Sequence, residues 1–100
     1  MKKFTNEFGN YYIEDKVFEE IAENTCLNID GINPAKNDKN FCKVKSLDDK
    51  DILTISIRIK KGIDIDSICN KIQEDISESI KLMTGIEFNN INIDIQGFIQ

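Results

Sequence analysis

DILTISIRIKK, Asp51 to Lys61, decides how the rest of the chain is read. Leu53, Ile55, Ile57 and Ile59 recur at every second position, and Thr54, Ser56, Arg58 and Lys60 fill the positions between. Strict alternation puts the first set on one side of an extended strand and the second set on the other. One face of this strand is therefore built for a core and the other for a polar surface. Upstream, FCKVKSL (Phe41 to Leu47) repeats the pattern. Cys42 and Val44 fall on one side; Phe41, Lys43 and Lys45 fall on the other. The acidic stretch DDKD, Asp48 to Asp51, lies between the two runs and predicts a turn, so the pair reads as a β-hairpin.

Outward from the hairpin, the period changes twice to that of a helix. From Asp15 to Ile29, Val17, Phe18, Ile21, Ala22, Thr25 and Ile29 form one stripe, with Glu19, Glu20 and Glu23 on the other side. Asp15 is placed to cap this helix and Gly31 to end it. From Asp66 to Thr84, Ile68, Cys69, Ile72, Ile76, Ile80 and Met83 form a second stripe, opposite Lys71, Glu74, Asp75 and Glu78. Asp64 or Asp66 caps its start, and Gly85 supplies a left-handed stop.

YYI, Tyr11 to Ile13, is a short strand candidate, and Met1 to Asn10 reads as a flexible tail ahead of one domain over residues 11–100. NPAKNDKN, Asn33 to Asn40, reads as a surface loop. Near the C-terminus two alternations are out of step: Ile86 and Phe88 fall on even positions, Ile91, Ile93 and Ile95 on odd ones. The slip at Asn89-Asn90 separates a connection, with Phe88 tucked beneath the helix end, from a strand beginning near Asn90. A β-bulge at the two asparagines is the alternative.

The element order is thus β-α-β-β-α-β, an α+β two-layer sandwich with two helices on one face of a four-stranded mixed sheet. A ferredoxin-like strand order is favoured, since β-α-β units prefer right-handed crossovers. A different order of the same elements is the alternative.

Composition narrows the function. The chain has 100 residues and a net charge of −5, which argues against general binding to nucleic acid or anionic lipid. It has no histidine, the most frequent general base and metal ligand near neutral pH. The five glycines stand singly, at 9, 31, 62, 85 and 97, so no phosphate-cradling loop exists. The three cysteines, Cys26, Cys42 and Cys69, are odd in number and widely spaced, which predicts reduced thiols of a cytosolic protein rather than a disulfide framework or zinc site. The acidic clusters read as solvated helix faces and a turn, too short for a calcium loop. No catalytic residue, metal or cofactor is expected.

The polar side of the sheet is the candidate partner-binding site. Alternation gathers Lys43, Lys45, Arg58 and Lys60 there, with Asn92, Asp94 and Gln96 from the last strand. Tyr12, Phe41 and Phe98 are candidates for the same face. An acidic protein would then present a basic, partly aromatic sheet face opposite two acidic helices. The alternative of another class is single-stranded RNA binding, since RNA-recognition modules share the element order. Against it, the outward positions Thr54, Ser56 and Arg58 carry no aromatic ring.

Two segments resemble the alkaline shock, or envelope stress response, protein family of Gram-positive bacteria. In YYIEDKVFEEIAENTCLNIDGI the resemblance lies in Ile13, Asp15, Val17, Ile21, Ala22, Gly31 and Ile32. In GIDIDSICNKIQEDISESIKLMTGIEFNNINIDIQGF it lies in Gly62, Ile65, Ile68, Ile72, Ile80, Met83-Thr84-Gly85, Ile91, Ile93 and Ile95. The resemblance implies a non-enzymatic cytoplasmic protein tied to alkaline or envelope stress, acting by self-association or through a protein partner. That partner includes, in some members, a small membrane protein that holds the family member at the membrane without insertion. Other members are linked to fatty-acid metabolism. The chain departs from the family pattern at the short connection Asn33 to Asn40 and at Lys60-Lys61-Gly62.

Overall fold

A computed structural model describes residues 2–35 and 40–100. In chain order the elements are β1 (Lys2–Asn6), β2 (Gly9–Ile13), α1 (Asp15–Leu27), β3 (Ile32–Pro34), β4 (Cys42–Leu47), β5 (Lys50–Lys60), α2 (Ile65–Thr84) and β6 (Ile91–Ile99). The long alternating run becomes β5, the spine of a four-stranded sheet. Along one side of it β4 runs antiparallel, from Cys42 opposite Ile55 to Leu47 opposite Lys50. The two-residue turn between them is Asp48-Asp49, with φ of 51° and 62°. Left-handed backbone at both positions is what a tight hairpin demands.

β3 continues on the same side, with Ile32 opposite Ile59 and Pro34 opposite Ile57. Ser56 marks the gap. Its carbonyl accepts from Ala35 N–H and its N–H donates to the Phe41 carbonyl, both at 3.0 Å. β3 and β4 are thus two pieces of one edge, with residues 36–39 between them. The predicted loop Asn33 to Asn40 therefore begins in a strand, and its centre lies outside the described residues. On the other side of β5 lies β6, parallel to it, with Leu53 opposite Ile91 and Ile57 opposite Ile95.

The expected α+β sandwich with a four-stranded mixed sheet is what forms, but its strand order is not the ferredoxin-like one, and Ile32–Pro34 takes the place in the sheet expected for Tyr11 to Ile13. Tyr11 to Ile13 stays out of that sheet. It pairs with Lys2–Asn6, the stretch read as tail, in a separate two-stranded hairpin. The reason lies in its side chains. Gly9, Asn10, Tyr11 and Tyr12 offer no alternating apolar face, and only Phe4 and Ile13 reach the core. The β5 and β6 isoleucines bury each other's flanks when the strands pair directly.

The core lies between this sheet and the helices. Leu53, Ile55, Ile57 and Ile59 of β5 and Ile72, Ile76 and Ile80 of α2 are fully buried, with Phe18, Ala22 and Cys26 of α1 against them. Burying each large side chain is worth roughly 1.5–3 kcal/mol. This dense isoleucine layer dominates the packing. The ends of the stripes were over-read: Val17 and Met83 are exposed. Glu14, not Asp15, sits at the N-cap of α1. Asp64 caps α2, accepting from Asp66 N–H and the Ser67 hydroxyl. Gly85 ends α2 in the left-handed conformation, and its N–H donates to the Lys81 carbonyl.

The out-of-step stretch resolves as a connection. Phe88 is buried, its ring 5.3 Å from that of Phe18. Leu53 N–H donates to the Asn90 carbonyl, so pairing starts at the second asparagine. A bulge does occur in this strand, but later, with Gln96 as the extra residue between Ile95 and Gly97.

Candidate interaction surface

The register of the sheet sets the polar face row by row. Lys43, Thr54 and Asn92 lie side by side across β4, β5 and β6. Ser56 lies beside Asp94, and Asn33, Arg58 and Gly97 form a further row. Lys45 flanks Ile52, and Lys60 flanks Ile99. All seven residues expected at the site, Lys43, Lys45, Arg58, Lys60, Asn92, Asp94 and Gln96, therefore come to one side of the sheet. Thr54, Ser56 and Arg58, at its centre, are only half-buried although β5 has a neighbour on both sides. The face is open.

Local contacts hold parts of it in place. Arg58 Nε donates to the Pro34 carbonyl at 3.4 Å, and its methylenes lie beside Gly97. Gln96 Nε2 donates to Asp94 Oδ2 at 2.9 Å, which ties the bulge to the acid. On the opposite side of the hairpin end, in phase with Val44 and Leu53, the Ser46 hydroxyl donates to Asp51 Oδ1 at 2.7 Å.

The three aromatic candidates are not brought there. Phe41 is buried with the core, because the break in the edge at Ser56 turns it inward beside Cys42. The bulge at Gln96 changes the phase of β6, so Phe98 shares a row with inward-facing Ile59 and is exposed at the sheet's end. Tyr12 belongs to the separate hairpin. Alternation did not flag the apolar members of the face: exposed Leu47, and Ile52 and Ile99 beside the lysines. Counting Leu47 onward from Lys43 and Lys45 would have found the first. Ile99 needed the bulge.

The helix side has the opposite character. A cleft of about 360 Å³ between α1 and α2 is lined by Ile21, Asn24, Asp75, Glu78 and Leu82. Lys71 pairs with Asp75 at 3.1 Å along α2. Two of the glutamates assigned to the wet side of α1 have another task. Val44 N–H donates to Glu19 Oε2 at 2.8 Å, and Cys42 N–H to Glu23 Oε2 at 3.3 Å. One helical turn apart, they cover the outer backbone donors of β4. Burial pushes the Glu23 carboxyl above its ordinary value, partly offset by the Cys42 N–H and further raised by Glu19.

Two of the thiols are shifted away from the thiolate form. Cys42 is pushed far up by its contact with the Cys26 side chain and by burial. Burial, then Asp66, raises Cys69. A nucleophilic cysteine needs the opposite shift. Among the described residues no group of three or more histidine, cysteine, aspartate or glutamate side chains stands ready to hold a metal ion. Nor is any described helix long and apolar enough to cross a membrane.

Comparison with curated proteins and with solved structures returned no match. A family profile, described as having a cell envelope-related function, matches residues 3–100 and so takes in the hairpin as well as the sandwich. By that match the chain belongs to the alkaline shock protein 23 family, whose function is cell envelope-related.

Proposed function

We propose that the protein fulfils its envelope-related role without catalysis, as a cytoplasmic interaction protein of the alkaline and envelope stress response. Its docking surface is the outer face of the sheet. The partner is a protein that presents acidic and apolar groups, and a small membrane protein of that kind would hold the chain at the membrane from outside the bilayer. One observation carries the reading. In a chain of net charge −5, Lys43, Lys45, Arg58 and Lys60 are collected on an open face that no described element covers. Leu47, Ile52 and Ile99 among them supply apolar contact. Interfaces of this kind combine an apolar centre with a charged surround that steers the approach.

The test reverses the charge of the face. Lys43→Glu with Arg58→Glu should retain the fold by circular dichroism and lose the partners that wild type captures from cells under alkaline stress. Capture of every partner at wild-type levels would sink the site. RNA binding predicts something else: a salt-sensitive gain of single-stranded RNA binding at low ionic strength. The face lacks the rings on which bases stack, so we expect a flat titration.

A further inference from the structure

The outer face of the sheet has the form of a shallow trough. Its floor is β5, where the short side chains of Thr54 and Ser56 occupy the centre, and Gly97 beside Arg58 adds no side chain at all. One rim is basic. Lys45 and Lys43 stand on β4, and Arg58 is drawn to the same side by its bond to the Pro34 carbonyl of β3. The other rim, Asn92 and Asp94 on β6, is neutral or acidic, and Gln96 holds Asp94 in place. The cations stand in separate rows: Lys45 with Ile52, Lys43 with Thr54, Arg58 with Gly97, and Lys60 with Ile99. Among the described residues the row of Ser56, between those of Thr54 and Arg58, has no cation and ends in Asp94. Half-buried Ile52 and Ile99 mark the two ends of the trough. Rows are two residues, about 6.7 Å, apart along a strand, so the track from Lys45 to Lys60 spans about 27 Å.

We propose that this trough takes an α-helix of a partner protein, laid along β5 with its acidic side chains toward β4. The inference rests on the docking role of the face and specifies what docks. An extended segment on the face would find no backbone partner there, because β5 already spends its N–H and C=O groups on β3, β4 and β6 in the plane of the sheet. A helix satisfies its own backbone and needs only side-chain contacts. The spacing fits as well. Residues i and i+4 of a helix are about 6 Å apart, close to the separation of the rows. Two acids four residues apart therefore meet Lys45 and Lys43, and a second such pair meets Arg58 and Lys60. Between the pairs one turn is free of acid, since Asp94 would repel it there. The whole contact needs about 18 residues at 1.5 Å each. Ile52 and Ile99 give apolar contact near the two ends of the same helix. A chain of net charge −5 repels an acidic partner elsewhere and attracts it at this face, which fixes where the helix lands.

Photo-crosslinking with mapped adducts tests it. Benzoylphenylalanine is placed singly at Ile52, Thr54 and Ser56, which lie in successive rows, and the modified residues of the captured partner are located by mass spectrometry. For a helix the adducts should fall in one segment and advance by about nine residues from Ile52 to Ser56. An advance of about four residues marks an extended segment, and adducts scattered over unrelated segments mark a mixed surface. Either result would overturn the helix while the docking role of the face stands. Exposed Asn92 and Asn33, also two rows apart, repeat the measurement without touching β5. The crosslinked segment, made as a synthetic peptide, should bind the wild-type chain, and should bind at least tenfold more weakly with a proline at its centre. Binding that the proline leaves unchanged would overturn the inference. If no position yields a protein adduct, or if the adducts are to RNA, the docking role itself fails and the helix with it.

Discussion

Gly31 leads the chain from α1 into β3 through a tight passage. Its φ is +92°, and a Cβ there would sit on Ile63 Cδ1. Both facts point the same way, since an L side chain is strained at such a φ and Ile63 packs against the core. Gly31→Ala should cost about 2 kcal/mol in urea unfolding; a loss below about 0.5 kcal/mol would mean that the turn is not constrained. Glu23 makes a subtler case. Its carboxyl is raised above its ordinary value by burial, so the folded state holds the proton more tightly than the unfolded chain does. Stability from this group is therefore greatest below the unfolded value and falls as pH rises through the folded one. Glu23→Gln keeps an acceptor for Cys42 N–H and removes that slope. Relative to wild type, the variant should gain stability as pH rises past the ordinary glutamate value of 4.5. A difference independent of pH would contradict the assignment.

At the scale of elements, α1 does two jobs. Its apolar stripe packs on the core, and Glu19 and Glu23 seal β4. Hydrogen bonds to charged acceptors contribute roughly 1.5–3 kcal/mol each at best. The partly solvated setting here favours the lower end. Glu19→Ala with Glu23→Ala should lower stability by about 3 kcal/mol and, more tellingly, promote aggregation through the uncovered edge, as light scattering would show. Unchanged scattering would mean that the carboxylates do not guard the strand. These roles were not legible in the sequence. Periodicity says which side of a helix is polar; it does not say that a neighbouring strand's backbone lies within reach of that side. The same limit explains β3. INP is too short to show alternation, and it enters the sheet only because β5 extends beyond the end of β4.

For the whole molecule, the sandwich and its helices were legible because β5 and α2 carry near-ideal periods in isoleucine. The strand order was not, because alternation identifies faces and not neighbours. The candidate face followed from alternation for all seven polar residues. Its aromatic complement did not, because each ring depends on a break in the pattern: Phe41 on the interruption at Ser56, Phe98 on the bulge at Gln96, Tyr12 on the detached hairpin. The result is a molecule with a basic, open sheet side and an acidic, grooved helix side. Site-specific photo-crosslinking in stressed cells tests that division most directly. A benzoylphenylalanine in place of Ser56, at the centre of the sheet face, should yield a discrete partner adduct, and the same probe in place of Glu74, exposed on α2, should not. An adduct from the helix position alone would contradict the account.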